Sequence, residues 1–141
     1  MSARLLVTGG TGHTGSFVGA QLAERGADVR LASRRAPADD PGHVRFDWAD
    51  ERTHDGALDG VTAAYLVAPA HVTDPAPLME AFVTRALRHG VRRFVLLSSS
   101  AITEDMPGLG AVARLLRERA PEWAVLDPAL PHSPRQPAPI G

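Results

Sequence analysis

The chain has 141 residues, a net charge of −1 at pH 7 and 44% hydrophobic residues, which suits one globular domain with a sizeable core. A charge this close to neutral, without a basic stripe, argues against nucleic-acid binding, and no apolar run approaches the roughly 20 residues that cross a bilayer. There is no cysteine and no N-terminal targeting pattern, so we expect a cytoplasmic protein without disulfides.

The chain opens with a predicted strand, a glycine-rich loop and a helix. Leu5–Val7 is a short continuous apolar run, typical of a strand buried on both faces of a parallel sheet. In the loop Thr8–Gly15, the glycines allow sharp turns and let a ligand approach the backbone. One face of the following helix carries two glycines and two aliphatic residues: Gly15, Val18, Gly19 and Leu22. We therefore expect this helix to lie very close to the sheet.

Predicted strands and helices alternate through the rest of the chain. Gly26 stands where a helix C-cap is expected. The further strands are Asp28–Ser33, Val44–Trp48, Ala63–Ala68, Arg93–Ser98 and Trp123–Leu126. One helix is predicted to start near Asp74, to bury Leu78, Ala81, Phe82 and Ala86, and to end at His89-Gly90. Another contains Val112, Leu115, Leu116 and Arg119.

This alternation predicts an α/β protein with a doubly wound Rossmann fold, in which about six parallel strands carry helices on both faces. We assign residues 1–127 to one domain with this Rossmann fold. Residues 128–141 contain five prolines and are predicted to form an irregular tail.

The loop Thr8–Gly15 carries the main functional signal, because it joins a strand to a helix in a βαβ unit. In that setting its glycines predict a dinucleotide whose phosphates lie at the helix N-terminus, the alternative being a structural tight turn. A Walker A loop is excluded because Ser16 and Phe17 follow Gly15 where lysine and a hydroxyl residue are required. Ser16 also lacks the G-x-S-x-G context of a nucleophile elbow.

Five motifs together resemble the NmrA-like branch of the atypical short-chain dehydrogenases/reductases. They are Thr8-Gly9-x-x-Gly12-x-x-Gly15, Ser33-Arg34-Arg35, Phe46-Asp47-Trp48, Leu97-Ser98-Ser99-Ser100 and Glu122-Trp123-Ala124-Val125-Leu126. The resemblance spans about Arg4 to Leu126. It implies that the protein is either an NADPH-dependent reductase, like those of the branch that act on quinones, dyes and alkaloid intermediates, or a regulator that binds the dinucleotide without turnover.

The predicted cofactor-binding residues are Gly9, Thr11, Gly12, His13, Thr14, Gly15, Arg34, Arg35, Asp47, Trp48, Ala68 and Pro69. The second strand ends without the acidic residue that accepts the ribose hydroxyl of NAD and presents Arg34 and Arg35 instead, which predicts NADP(H) in preference to NAD(H). The resemblance places Asp47 and Trp48 near the adenine, a core role being the alternative for Trp48. It places Ala68 and Pro69 on the nicotinamide ribose side.

The catalytic residues are not identified by the sequence. Tyr65 is the single tyrosine, it lies inside a predicted strand, and lysine is absent, so the Tyr-x-x-x-Lys pair of many short-chain dehydrogenases is missing. Ser98 and Ser99, which the resemblance turns toward the substrate, and His71 are weak candidates. The histidines show no metal-ligand spacing, and we predict no metal site.

The resemblance also implies a longer C-terminal segment. Family members usually continue from Leu-Arg-Pro into the rest of the substrate pocket, whereas this sequence has Leu126-Asp127-Pro128 and the proline-rich tail. We expect the cofactor-binding part to be complete in a chain that is shortened at its C-terminus. A second copy in a homo-oligomer, or a partner subunit, would then complete the substrate pocket.

The predicted function is that of an NADPH-binding oxidoreductase that transfers hydride to a small carbonyl, quinone or conjugated substrate. The alternative is a non-catalytic NADP(H)-binding redox sensor, accessory subunit or degenerate family member. Neither reading involves nucleic acid or a membrane.

Overall fold

A computed structural model of the chain describes residues 4–8, 19–21, 23–26, 28–35, 42–69, 72–98 and 102–126. Within these ranges the chain forms a six-stranded sheet with the order β3-β2-β1-β4-β5-β6. The strands are β1 (Arg4–Thr8), β2 (Asp28–Ser33), β3 (His43–Arg45), β4 (Val61–Leu66), β5 (Arg93–Leu97) and β6 (Glu122–Leu126). Every neighbouring pair is parallel, which confirms the predicted doubly wound Rossmann architecture.

Helices connect the strands. Residues 19–21 and 23–24 are helical, and the backbone then turns at Gly26, whose φ of 83° favours glycine. The connection from β3 to β4 holds a 3₁₀ turn (Glu51–Thr53) and the short helix α1 (His54–Leu58). Helix α2 (Ala76–Arg88) joins β4 to β5, and helix α3 (Leu109–Arg119) joins β5 to β6. No helix in these described ranges is long and apolar enough to cross a membrane.

Gly19 explains how the first helix approaches the sheet. The residue is buried, and a Cβ atom placed on it would lie 2.5 Å from Cδ2 of Leu31 on β2. A larger residue would push the helix away from the strand or displace the Leu31 side chain. The predicted close packing is therefore confirmed at Gly19, whereas Gly15, Val18 and Leu22 lie outside the described residues.

The bounds of β1, β5 and β6 differ from the prediction by no more than one residue at either end, whereas β3 and β4 differ by more. β3 ends at Arg45 and not at Trp48, because Asp50 donates its backbone N–H to Asp47 O at 3.0 Å and turns the chain away from the sheet. β4 runs over Val61–Leu66 and not over Ala63–Ala68, since the N–H of Val67 is bound by the Thr8 side chain at 2.8 Å.

The core lies between the sheet and helices α2 and α3. Helix α2 buries Ala76, Met79, Phe82, Val83 and Ala86. The prediction was right for Phe82 and Ala86 and wrong for Ala81, which is exposed; Leu78 is half-buried and packs against the core. The buried stripe is turned about the helix axis because Met79 and Val83 flank Phe82 on the core side, which leaves Leu78 and Ala81 on a neighbouring face.

Candidate functional site

The carboxyl edge of the sheet is the expected place for a ligand. From β1 the order runs through β2 to β3 in one direction and through β4 to β6 in the other, which makes the β1/β4 junction a topological switch point. Ligands of open α/β sheets bind in the crevice at such a point. The predicted site residues after β2, β3, β4 and β5 all follow carboxyl ends of strands at this edge.

Thr8 fixes the start of the glycine loop to this junction. Its fully buried side chain donates a hydrogen bond to Tyr65 O at 3.0 Å and accepts one from Val67 N at 2.8 Å. The last residue of β1 is thus bonded to the end of β4 by a side chain as well as by the strand ladder. The loop therefore begins at the switch point, where a bound phosphate is expected.

Two buried hydroxyls at this edge have no hydrogen-bond partner. Ser33, the last residue of β2, and Ser98, directly after β5, are each 7% exposed, and they are the buried side chains found unpaired in the described part of the chain. A buried hydroxyl without a partner costs about 1–3 kcal/mol. They lie on opposite sides of the switch point, so a dinucleotide and its substrate, placed side by side along this edge, would supply the missing partners.

Arg34 and Arg35 follow Ser33 in a turn, and both side chains are exposed. Neither forms an ion pair with another described residue. Their guanidinium groups are therefore free to bind an anion at the end of β2. The acidic residue of this strand, Asp28, lies at its opposite end and does not compete for them.

Asp47 lies in a turn that is held by its neighbours. Thr53 Oγ1 accepts a hydrogen bond from the backbone N–H of Asp47 at 3.0 Å, and Asp47 O accepts one from His54 Nε2 at 2.9 Å. The carboxylate accepts a hydrogen bond from Ala49 N, also at 3.0 Å. Asp47 as a whole is half-buried.

Trp48 packs in an aromatic cluster made of Phe46, Trp48, His54 and Phe82. The ring centroids of Phe46 and Phe82 lie 5.0 and 5.2 Å from that of Trp48, both in edge-to-face geometry. His54 stacks on Phe46 at 4.8 Å. With 9% of its surface exposed, Trp48 has the core role that the sequence left as an alternative, and its contact with adenine stays a prediction.

A hollow of about 350 Å³ lies beside this turn. It is bounded by Trp48 and the residues up to Arg52 on one side, and by Leu78 and Ala81 of α2 on the other. This location accounts for the partial exposure of Leu78 and Ala81, which the helical pattern had placed in the core.

Acidic side chains near the turn are held ionised by basic neighbours. A side-chain hydrogen bond from Arg52 lowers the pKa of Asp50 below its ordinary value, and Arg45 adds to the effect from 3.8 Å. The pKa of Asp55 is lowered by His89 and by Arg85, which join α1 to the end of α2 at 2.9 and 3.0 Å. These groups lie at the surface and stabilise the packing of the turn and α1 against α2.

A model of a family described as NAD(P)H-binding matches residues 9–130. The chain belongs to this NAD(P)H-binding family, in the NmrA-like branch of the atypical short-chain dehydrogenases/reductases. The predicted membership is thereby confirmed.

Two curated relatives support oxidoreductase chemistry in the family. An uncharacterized oxidoreductase of Bacillus subtilis, YesF, is 42% identical over 126 residues, covering 89% of this chain and 44% of the relative. Agroclavine dehydrogenase of Claviceps fusiformis is 33% identical over 133 residues, covering 89% and 46%. The chain thus spans about half the length of these relatives.

Solved structures agree with the fold. A short-chain dehydrogenase/reductase superfamily protein of Agrobacterium tumefaciens with bound NAD has a TM-score of 0.70 at 26% identity, over 88% of this chain and 48% of that one. A nucleoside-diphosphate-sugar epimerase of Staphylococcus aureus has a TM-score of 0.73 at 20% identity, over 89% of this chain and 49% of that one. At this identity the likeness shows the fold alone.

The structure places part of the predicted site. Arg34, Arg35, Asp47, Ala68, Pro69 and Ser98 all follow carboxyl ends of strands. Gly9, Thr11, Gly12, His13, Thr14, Gly15, His71 and Ser99 lie outside the described residues, as does the predicted tail. Their roles remain predictions from the sequence.

Sequence reasoning missed three residues of this family member's candidate site. Ser33 was noticed only within a motif, yet the structure shows its hydroxyl buried and unpaired. Thr53 and His54, which hold the Asp47 backbone, were not singled out. The signal that could have found them is a helix that starts a few residues after the Asp47-x-x-Asp50 turn, because Thr53 and His54 at that start can reach the backbone of the turn.

Proposed function

We propose that this chain binds NADPH across the carboxyl edge of its sheet and transfers hydride from it to a small carbonyl, quinone or conjugated substrate. The observation that carries the proposal is the pair of unpaired buried hydroxyls, Ser33 and Ser98, on opposite sides of the switch point. Family membership supports an NAD(P)H ligand, and relatives named oxidoreductase and dehydrogenase support hydride transfer. NADPH, when bound, supplies the hydride.

The proposed preference for NADPH over NADH rests on the turn after β2. We assign Arg34 to the ribose phosphate that distinguishes the two dinucleotides, with Arg35 as its neighbour. One charge-assisted hydrogen bond is worth about 1.5–3 kcal/mol, so a single arginine gives about a ten- to hundredfold preference. Ser33 adds a buried hydroxyl directly before these residues.

A titration with both dinucleotides tests this assignment. Arg34→Ala should weaken NADPH binding by about ten- to hundredfold and leave NADH binding nearly unchanged. Arg88→Ala is the matched control, because Arg88 is exposed at the end of α2, away from the carboxyl edge. Equal affinity of the unmodified chain for NADPH and NADH would refute the preference.

Among the described residues at the carboxyl ends of β4 and β5, Ser98 offers a free hydroxyl and none is an established proton donor. Tyr65 lies within β4, where its backbone carbonyl accepts the Thr8 hydrogen bond, and the sequence has no lysine to pair with it. We assign Ser98 the role of orienting a substrate oxygen with its free hydroxyl. A substrate that needs no strong general acid, such as a quinone, suits this arrangement.

Turnover is tested with purified chain, NADPH and a panel of quinones, enones and imines, by following the loss of reduced-nicotinamide absorbance. We expect turnover of at least one class, and a higher KM in Ser98→Ala with little loss of cofactor affinity. Absence of turnover across the panel, with NADPH still bound, would contradict catalysis.

Binding of NADPH without turnover would instead fit the second candidate function, that of a redox sensor or accessory module that binds NADP(H). The missing lysine and the location of Tyr65 within β4 favour it. A protein partner that binds in one cofactor redox state and not in the other would support the sensor. Strong turnover by the isolated chain would remove it.

A further inference from the structure

The turn after β3 is fixed by two side chains from the segment that follows it. The 3₁₀ turn Glu51–Thr53 begins immediately after Asp50 and continues directly into α1. Thr53 and His54 therefore lie close to the turn in the sequence. Between them they bind both backbone polar groups of Asp47. Asp47 is the residue that the family resemblance predicts to lie near the adenine.

Thr53 holds the N–H side of Asp47. Its Oγ1 accepts the Asp47 N–H at 3.0 Å and donates its own hydrogen to Asp50 O at 2.7 Å. The longer approach of Oγ1 to Asp47 O, at 3.3 Å, is secondary because a hydroxyl has one hydrogen to donate. One hydroxyl therefore connects the first and last residues of the turn.

His54 holds the C=O side of Asp47. Since Asp47 O is an acceptor, Nε2 must carry the hydrogen in the 2.9 Å contact. The imidazole is 2% exposed, stacks on Phe46 and meets the Phe82 ring edge-on at 5.4 Å. The imidazole is held by these two rings of the aromatic cluster, so the position of Asp47 O is defined by packing as well as by a hydrogen bond.

We propose that Thr53 and His54 are positioning residues that aim the Asp47 carboxylate at the amino group of the adenine, and that they thereby set the selectivity of the site for the base. The inference rests on the proposed function and on the predicted position of Asp47 beside the adenine. Oδ1 accepts Ala49 N within the turn, which leaves Oδ2 for the base. A carboxylate accepts hydrogen bonds and cannot donate them, so it favours adenine over a base with an oxygen at that position.

The experiment compares NADPH with its reduced hypoxanthine analogue, in which oxygen replaces the adenine amino group. Dissociation constants are measured by nicotinamide fluorescence for the unmodified chain, Asp47→Asn, Thr53→Val, Thr53→Ser and His54→Phe. Thr53→Val removes the hydroxyl at nearly constant volume, and His54→Phe keeps an aromatic ring without its N–H. Thr62→Val is the matched control, because Thr62 is exposed on β4.

The unmodified chain should bind NADPH about tenfold or more tightly than the analogue, and Asp47→Asn, whose amide presents either a donor or an acceptor, should bind the two about equally. Thr53→Val and His54→Phe should lose most of the discrimination by weakening NADPH alone. Thr53→Ser, which retains the hydroxyl, and the control Thr62→Val should keep the discrimination. Thermal unfolding followed by circular dichroism reports whether each variant is folded.

The outcomes separate the inference from the function on which it rests. If the unmodified chain binds NADPH but does not discriminate, or if Asp47→Asn discriminates as before, the proposed role of Asp47 fails. If those two behave as expected while Thr53→Val and His54→Phe keep full discrimination, the positioning role is overturned and the function stands. Equal weakening of both dinucleotides, or loss of discrimination in Thr53→Ser, also overturns it, because a merely structural role predicts those results.

Discussion

Replacing Gly110 by alanine tests how closely helix α3 approaches the loop that follows β5. A Cβ atom on Gly110 would lie 2.2 Å from the backbone oxygen of Thr103 and 3.2 Å from Cβ of Met106. A carbon–oxygen contact is normally about 3.3 Å or longer, so the helix and the loop must separate by about 1 Å. The oxygen cannot turn away freely, because Thr103 O accepts the N–H of Met106 at 3.0 Å.

The size of the effect follows from two opposing contributions. Overpacking a well-filled site costs about 1–3 kcal/mol, whereas exchanging glycine for alanine inside a helix returns up to about 1 kcal/mol. We expect Gly110→Ala to lower the free energy of unfolding by about 1–2 kcal/mol, which lowers Tm by about 3–6 °C in a domain of this size. Thermal unfolding by circular dichroism measures it.

Gly56→Ala is the matched control, because Gly56 is also inside a helix but has no neighbour within 4 Å of an added Cβ atom. It should raise Tm by up to about 3 °C, since the helix-propensity gain is unopposed. An unchanged or higher Tm for Gly110→Ala would show that the loop yields easily and would refute the close packing between α3 and Thr103.

Three further changes test other parts of the account. Gly12→Val should abolish NADPH binding in a titration while the protein stays folded, because a branched side chain occupies space needed by the pyrophosphate; normal binding would contradict the predicted loop function. Phe82→Ala should lower the free energy of unfolding by about 3–5 kcal/mol in urea titrations, since Phe82 is fully buried at the centre of the aromatic cluster, and a loss below about 1 kcal/mol would refute that central role. Asp55 has a lowered pKa in the folded chain, so its ion pairs stabilise the protein above the ordinary pKa of about 3.9 and are lost as the pH falls through the lowered value. Tm of Asp55→Asn should thus lie below that of the unmodified chain near neutral pH and converge with it in acid; a constant difference would count against the assignment.

The sequence predicted the order of the elements well, because strands and helices differ in their hydrophobic period. β2 was predicted with its observed bounds, since Gly26 and the Arg34-Arg35 pair mark its two ends. β3 and β4 were not, because side-chain hydrogen bonds from Thr53 and Thr8 take over backbone groups near the strand ends. Such contacts depend on the folded arrangement and leave no periodic signal.

The candidate site was predicted in outline and not in detail. Residues at the carboxyl ends of strands can be inferred to share one edge once a parallel sheet is predicted, and this holds for Arg34, Asp47 and Ser98. The roles of Asp47 and Ser98 came from the family resemblance. Whether a hydroxyl is buried and unpaired, as in Ser33, depends on all atoms around it. The core role of Trp48 was likewise undecidable, because an indole at a strand end packs equally well on a ligand or on a helix such as α2.

A titration of the purified chain with NADPH and with NADH, followed by nicotinamide fluorescence, tests the central claim most directly. We predict saturable binding of NADPH about ten- to hundredfold tighter than that of NADH. No saturable binding of either dinucleotide would contradict the account, and equal binding of both would contradict its assignment of Arg34 to the ribose phosphate.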